Sequence, residues 1–169
     1  MGVSIQFFGA AAYKIVTAGG KHVLIDPFLN WSFAAMPDGQ LLSGPAVGFI
    51  VEAAPDVRIY HPGDTAFTYD MKLWGELYKP TVGLMHVTLP EGEGVSLPHM
   101  HCYKTGEITP PEAYLASQWL GLRHVIVSHY VDPECKDVRD FLEIARTADR
   151  GDGLAPKVTV MRPGEILTL

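Results

Sequence analysis

The order of apolar segments along the chain constrains its fold more than any other feature. The first 61 residues contain mainly strand patterns, and an Ala-Gly-Gly hairpin turn separates YKIV from KHVLI. Beyond that point, buried strand patterns such as TVGLMHVTL and HVIVSHY alternate with amphipathic helical patterns such as TYDMKLWGELY and DPECKDVRDFLEIARTA. A strand-rich half followed by alternating helices and strands predicts a layered α/β fold.

Composition narrows the class of protein. The 169 residues predict a single domain over residues 1–169, and the apolar fraction of 47% is that of a globular protein. A net charge of −6 and the absence of a basic run argue against nucleic acid or a membrane surface as a partner. No apolar stretch reaches the roughly 18 residues of a membrane span. Two distant cysteines, Cys102 and Cys135, and no secretion signal predict a cytoplasmic protein with free thiols.

Histidines stand at or just after the ends of three predicted strands, where ligands gather in layered α/β folds. These residues are His61, His86 and His129. A Pro-Gly turn then separates His61 from Asp64. Two simpler interpretations stay open: Asp64 as an ordinary turn residue, and His129 as a buried histidine bonded to a backbone carbonyl.

His99 and His101 form the sharpest local pattern, inside the Gly- and Pro-rich loop 90–106. In an extended segment residues i and i+2 face the same side, so both imidazoles can reach one ion. Zinc takes three or four N, S or O ligands, and a catalytic site keeps one position for water. The alternative is a solvated loop that carries two histidines by chance.

Other polar residues have simpler interpretations. Asp26 is expected to accept backbone N–H bonds or to orient a ligand, and His22 to lie on the surface. His124 is expected to cap a helix or to bond the backbone, and Glu112 to serve the start of a helix. Cys102 is either a soft ligand beside His101 or a half-buried thiol. Without G-x-S-x-G, P-loop or G-x-G-x-x-G motifs, serine hydrolase and nucleotide-binding interpretations lack support.

Six segments resemble, in the same order, those of the metallo-β-lactamase-fold hydrolases, most closely the branch that includes ascorbate-6-phosphate lactonase. The segments are IQFFGAAAYKI, KHVLIDPFL, GPAVGFIVE, RIYHPGDTAFTYDMKLWGELYKP, VIVSHY and MRPGEILTL. The resemblance implies a truncated αββα sandwich with a metal site on one edge. In it, Asp64 matches the carboxylate that bridges two metals and His129 matches the last histidine ligand. His61 matches a neighbour that is not normally a ligand.

The chain also departs from that family. The H-x-H-x-D-H motif, which supplies most ligands in the family, is absent from all 169 residues, and the histidine of the early FFGH pattern is Ala10. Where relatives have a short glycine-rich loop, this chain has His86 followed by the insert EGEGVSLPHMHCY. We hypothesise a rebuilt, histidine-rich metal site. Its predicted ligands are Asp64, His86, His99, His101 and His129.

Such a ligand set favours zinc, with iron, manganese, nickel or copper also tolerable. The resemblance then implies hydrolysis of a small molecule, a lactone, amide or phosphoester, by metal-activated water. Asp64 and Glu93 are the candidate catalytic residues, and Asp38 or Glu91 are alternatives to Glu93 as the carboxylate that shuttles the proton.

Two further functions stay open. A degenerate, non-catalytic domain would serve as a metal-binding or oligomerisation module, and a histidine-rich site would also suit oxygen or redox chemistry. Loss of a block of the fold leaves apolar surface that a partner subunit could cover, so we expect a homodimer in either case.

Overall fold

The computed structural model describes residues 2–26, 48–87, 108–149 and 155–169. Several sequence predictions lie outside these ranges: the loop character of 30–45 and 90–106, and the roles given to His99, His101, Cys102, Asp38, Glu91 and Glu93.

Twelve elements of regular structure lie in the described ranges, in the order that the sequence predicts. The strands are β1 (Ser4–Gly9), β2 (Ala12–Val16), β3 (His22–Ile25), β4 (Phe49–Ala54), β5 (Val57–His61), β6 (Val82–His86), β7 (His124–Ser128), β8 (Lys157–Thr159) and β9 (Ile166–Thr168). The helices are α1 (Asp70–Tyr78), α2 (Pro110–Trp119) and α3 (Lys136–Ala148). None of these three helices is both long and apolar enough to cross a membrane.

The strands form two sheets, which confirms the predicted layered α/β class. The first sheet is antiparallel, in the order β3-β2-β1-β9. The second has the order β4-β5-β6-β7-β8, in which β4 is antiparallel to β5 and the remaining pairs are parallel.

The first sheet buries one face against the second. Alternate residues of β1 and β2, such as Ile5, Phe7 and Tyr13, are fully buried, as the period of two along a strand requires. The Tyr13 hydroxyl donates to the carbonyl of Val127 in β7, at 3.2 Å. The core therefore lies between the two sheets.

The central strands β6 and β7 are buried at every position, as expected of parallel strands covered on both faces. Helix α2 begins as predicted, because the Glu112 carboxylate accepts hydrogen bonds from the backbone N–H and the hydroxyl of Thr109, at 3.1 and 2.8 Å. Helix α1 approaches the end of α2 so closely that a Cβ on Gly75 would lie 2.3 Å from the carbonyl oxygen of Trp119. Only glycine fits there without displacing backbone.

The parallel pairing positions the candidate site. Because β5, β6 and β7 run in the same direction, their carboxyl ends meet at one edge of the sheet. Between β6 and β7, Val82 lies opposite His124 and His86 lies opposite Ser128. His61, His86 and His129 therefore emerge at this edge.

The two histidines that were given structural roles lie elsewhere. His22 is exposed on β3, as predicted. His124, at the opposite end of β7, is buried, and its Nε2 lies 2.8 Å from the Thr159 hydroxyl. The partner of the His124 ring is thus a side chain, where the sequence predicts backbone.

Replacing Gly75 by alanine tests the helix contact. We expect Gly75→Ala to lower the free energy of unfolding by about 1–3 kcal/mol through overpacking. Helix propensity alone would favour alanine by about 1 kcal/mol, so the two effects have opposite signs. Urea unfolding measures the change, with Glu76→Ala on the exposed side of α1 as the control. A stabilised Gly75→Ala variant would refute the close approach.

A pH series tests the environment of His124. Burial lowers the pKa of His124 below its ordinary value of 6.5, and nearby Lys157 lowers that pKa further. The unfolded chain therefore binds more protons than the folded chain as the pH falls below that value, so this group reduces stability on acidification. We expect the free energy of unfolding of His124→Gln to fall less than that of the wild type between about pH 8 and pH 5.

His22→Gln, at an exposed position, is the control for that series and should reproduce the wild-type dependence on pH. Equal slopes for the wild type and His124→Gln would show that His124 titrates alike in the folded and unfolded chains.

Candidate metal centre

Asp64 and His129 face each other at the edge where β5, β6 and β7 end. Asp64 Oδ1 lies 3.6 Å from His129 Nε2, and both side chains reach solvent, with exposed fractions of 72% and 24%. Two ligands of a tetrahedral zinc ion, each about 2.1 Å from the metal, are roughly 3.4 Å apart. The observed spacing therefore fits two donor atoms that share one ion.

The carboxylate of Asp64 projects from a tight turn after β5. Pro62 cannot continue the ladder of backbone hydrogen bonds, and Gly63 has a φ of +67°, in the left-handed region that favours glycine. The strand-to-turn sequence HPGD therefore ends the strand and turns the chain at the sheet edge.

His86 lies beside this pair with a defined orientation. Its ring centroid is 5.8 Å from that of His129, and the two rings meet edge to face. Its Nε2 lies 3.1 Å from the carbonyl oxygen of Thr65, which can only accept, so Nε2 carries the proton. If His86 binds an ion, the bond must therefore be made by Nδ1. Histidine ligands commonly donate their other N–H to a carbonyl in this way.

His61 is held by both of its ring nitrogens. Its Nδ1 accepts a hydrogen bond from the backbone N–H of Gly63, at 3.1 Å. The neutral ring then carries its proton on Nε2, which faces Asp26 Oδ2 at 3.5 Å. Neither nitrogen is available to a metal, which agrees with the non-ligand role that the resemblance implies.

Burial is the main electrostatic influence on His61. It lowers the pKa of the imidazole, and the positive charge that His129 can carry acts in the same direction. The carboxylates of Asp26 and Asp64 oppose both effects and raise this pKa. The other three side chains are thus close enough for their charges to act on His61.

Three residues at this edge other than glycine have left-handed backbone conformations. The φ values are +50° for Ala10, +42° for Asp26 and +63° for His129. Such conformations cost an ordinary residue about 1–2 kcal/mol, and they persist where surrounding contacts fix them. Here the His129 N–H donates to the Ala10 carbonyl at 2.8 Å, and Ala10 pairs with Tyr130. This strain could not be predicted from the sequence, because none of the three residues is a glycine.

The described residues supply only part of a complete ligand set. Within residues 2–26, 48–87, 108–149 and 155–169, no three His, Cys, Asp or Glu side chains are grouped closely enough to hold an ion. His99, His101 and Glu93 lie outside these ranges, so their roles stay predictions. The described partner of Asp26 is the side chain of His61, and its predicted backbone hydrogen bonds and its role in orienting a ligand stay predictions.

No family model matches the chain, but individual proteins are clearly similar to it. A UPF0173 metal-dependent hydrolase of Rubrobacter xylanophilus is 38% identical over 151 residues, which cover 88% of this chain and 55% of that protein. A UPF0173 metal-dependent hydrolase of Methanoregula boonei is 34% identical over 154 residues, which cover 91% of this chain and 61% of that protein. The chain thus spans little more than half the length of these curated relatives.

Solved structures share the fold. Igni18, a metallo hydrolase of Ignicoccus hospitalis, matches with a TM-score of 0.64 at 20% identity, covering 100% of this chain and 99% of that one. YhfI of Bacillus subtilis, a metallo-β-lactamase-fold protein, matches with a TM-score of 0.58 at 10% identity, covering 99% and 100%. The ascorbate-6-phosphate lactonase branch receives no specific support from these matches. The predicted resemblance to the broader group is confirmed. The chain has the metallo-β-lactamase fold and is a relative of the UPF0173 metal-dependent hydrolases.

Proposed function

We propose that this chain is a metal-dependent hydrolase whose ion is bound between Asp64 and His129. The observation that carries the proposal is the 3.6 Å separation of Asp64 Oδ1 and His129 Nε2 at the sheet edge. The UPF0173 relatives are named metal-dependent hydrolases, which supports the same reaction class for this chain.

The donor chemistry fits a zinc-like ion. One carboxylate oxygen and one imidazole nitrogen face each other. His86, whose ring centroid lies 5.8 Å from that of His129, would have to move closer to this pair to serve as the third donor that we propose. His99 and His101 would complete a nitrogen-rich set. Iron, manganese, nickel and copper accept such ligands too, so zinc is the first of several metals to test.

The chain's own residues would bind the substrate and move the proton. A bound divalent ion would polarise the scissile group and lower the pKa of a water molecule. The large exposed fraction of Asp64 supports access of a small lactone, amide or phosphoester to the proposed centre. Glu93, or alternatively Asp38 or Glu91, would accept the proton released from water and pass it to the leaving group.

A second candidate function is a metal-binding module without catalysis. It is favoured by one observation, that the H-x-H-x-D-H motif, which supplies most ligands in the metallo-β-lactamase-fold hydrolases that the chain resembles, is absent from residues 1–169. The cytoplasmic location and the homodimer stay predictions under both functions.

Metal analysis of purified protein tests the binding site. We expect about one transition-metal ion per chain for the wild type. His129→Ala and Asp64→Asn should each weaken zinc binding by at least about 100-fold. That is more than the loss of affinity usual when a residue that only hydrogen-bonds to a ligand is replaced. Zinc affinity is measured by competition with a chromogenic chelator, and His22→Ala is the matched control with unchanged affinity. Wild-type protein that binds no transition metal would contradict the proposal.

Hydrolysis assays then separate the two functions. For a hydrolase, a panel of lactones, amides and phosphoesters should reveal activity that a chelator removes and zinc restores. Metal binding at the same residues without turnover of any of the three classes would favour the module. The double variant His99→Ala/His101→Ala tests the loop, because unchanged zinc affinity would exclude both histidines as ligands.

A further inference from the structure

We propose that His61 is a positioning residue, which fixes the turn that carries Asp64 by accepting a hydrogen bond at Nδ1. This inference rests on the proposed role of Asp64 as a metal ligand. His61 does not touch the ion in this account, because its acceptor nitrogen is used within the turn.

The first argument is the geometry of the turn. The Gly63 N–H donates to Nδ1 of the residue two positions earlier, at 3.1 Å, and so closes a ring around Pro62. Asparagine and aspartate side chains hold turns in the same way, through an oxygen that accepts from residue i+2. Here an imidazole nitrogen accepts the hydrogen bond instead, and the donor, Gly63, directly precedes Asp64 in the chain.

The second argument is the contrast in burial between the two side chains. The side chain of Asp64 is 72% exposed, so its own packing holds it weakly, whereas that of His61 is 4% exposed. A metal ligand needs a defined position to avoid an entropic cost on binding. Rigidity at Asp64 must therefore come from the turn, and the turn is fixed to the core through His61.

The third argument is the anchor on the far side of the ring. Nε2 of His61 faces Asp26, which follows β3 in the other sheet. That contact favours the proton on Nε2 and leaves Nδ1 as the acceptor that Gly63 requires. The ring thus links the turn to both sheets.

Two substitutions separate this role from simple filling of space. In His61→Asn, the side-chain oxygen can replace Nδ1 and accept from Gly63, although the side chain is smaller. In His61→Gln, the side chain fills more of the space and reaches towards Asp26, but its polar group lies one bond too far for the i+2 contact. A space-filling role predicts that glutamine is tolerated better, and the positioning role predicts the reverse.

The experiment measures zinc affinity of the two variants and of the wild type by chelator competition. We expect His61→Asn to stay within about threefold of the wild type and His61→Gln to lose about 10- to 100-fold, the usual effect of an outer partner. His22→Asn and His22→Gln, on the exposed part of β3, are the matched controls. Equal losses in both His61 variants, or a larger loss for asparagine, would overturn the inference.

A second measurement does not depend on metal. In the metal-free wild type, nitrogen-15 NMR of the histidine rings should show His61 neutral with its proton on Nε2, and a hydrogen bond to the Gly63 amide. A proton on Nδ1 would overturn the positioning role even if zinc binds. Wild-type protein that binds no zinc, with the proton on Nε2, would instead overturn the proposed function of Asp64 and leave the turn as described.

Discussion

The parallel pairing of β5, β6 and β7 is the constraint on which the rest of the structure depends. Parallel strands place their carboxyl ends at a common edge, and here the residues at those ends are histidines and an aspartate. If β7 were antiparallel to β6, His86 and His129 would lie at opposite edges of the sheet. The parallel pairing of β6 and β7 therefore brings the ring centroids of His86 and His129 within 5.8 Å of each other.

At that edge, polar side chains are buried at positions where apolar side chains are the usual occupants. His61 and His86 are almost fully buried, and both have hydrogen bonds to the backbone of the chain between 63 and 65. Each satisfied bond offsets the cost of removing a polar ring from water. The left-handed backbone of Ala10 and His129 adds strain at the same edge. Strain of this kind is retained at binding sites, where a fixed geometry is useful before the ligand arrives.

Much of this could be predicted from the sequence, because periodicity is local. The patterns of VGLMH and HVIVS predict buried strands, and their ends predict a common edge once the sheet is parallel. The start of α2 at Thr109, with Glu112 three residues on, was readable for the same reason. The contact between His61 and Asp26 was not, since it joins residues of different sheets and no pattern links them. Likewise, nothing in the sequence marks Gly75 as the point where two helices meet.

The central claim is that Asp64 and His129 bind one ion. X-ray absorption at the zinc edge tests it most directly, because outer-sphere scattering from imidazole rings counts histidine ligands. For zinc-loaded wild-type protein we predict nitrogen and oxygen ligands at about 2.0–2.1 Å with at least two imidazoles, and one imidazole fewer in His129→Ala. Identical spectra from the two proteins, or a shell of sulfur ligands, would contradict the account.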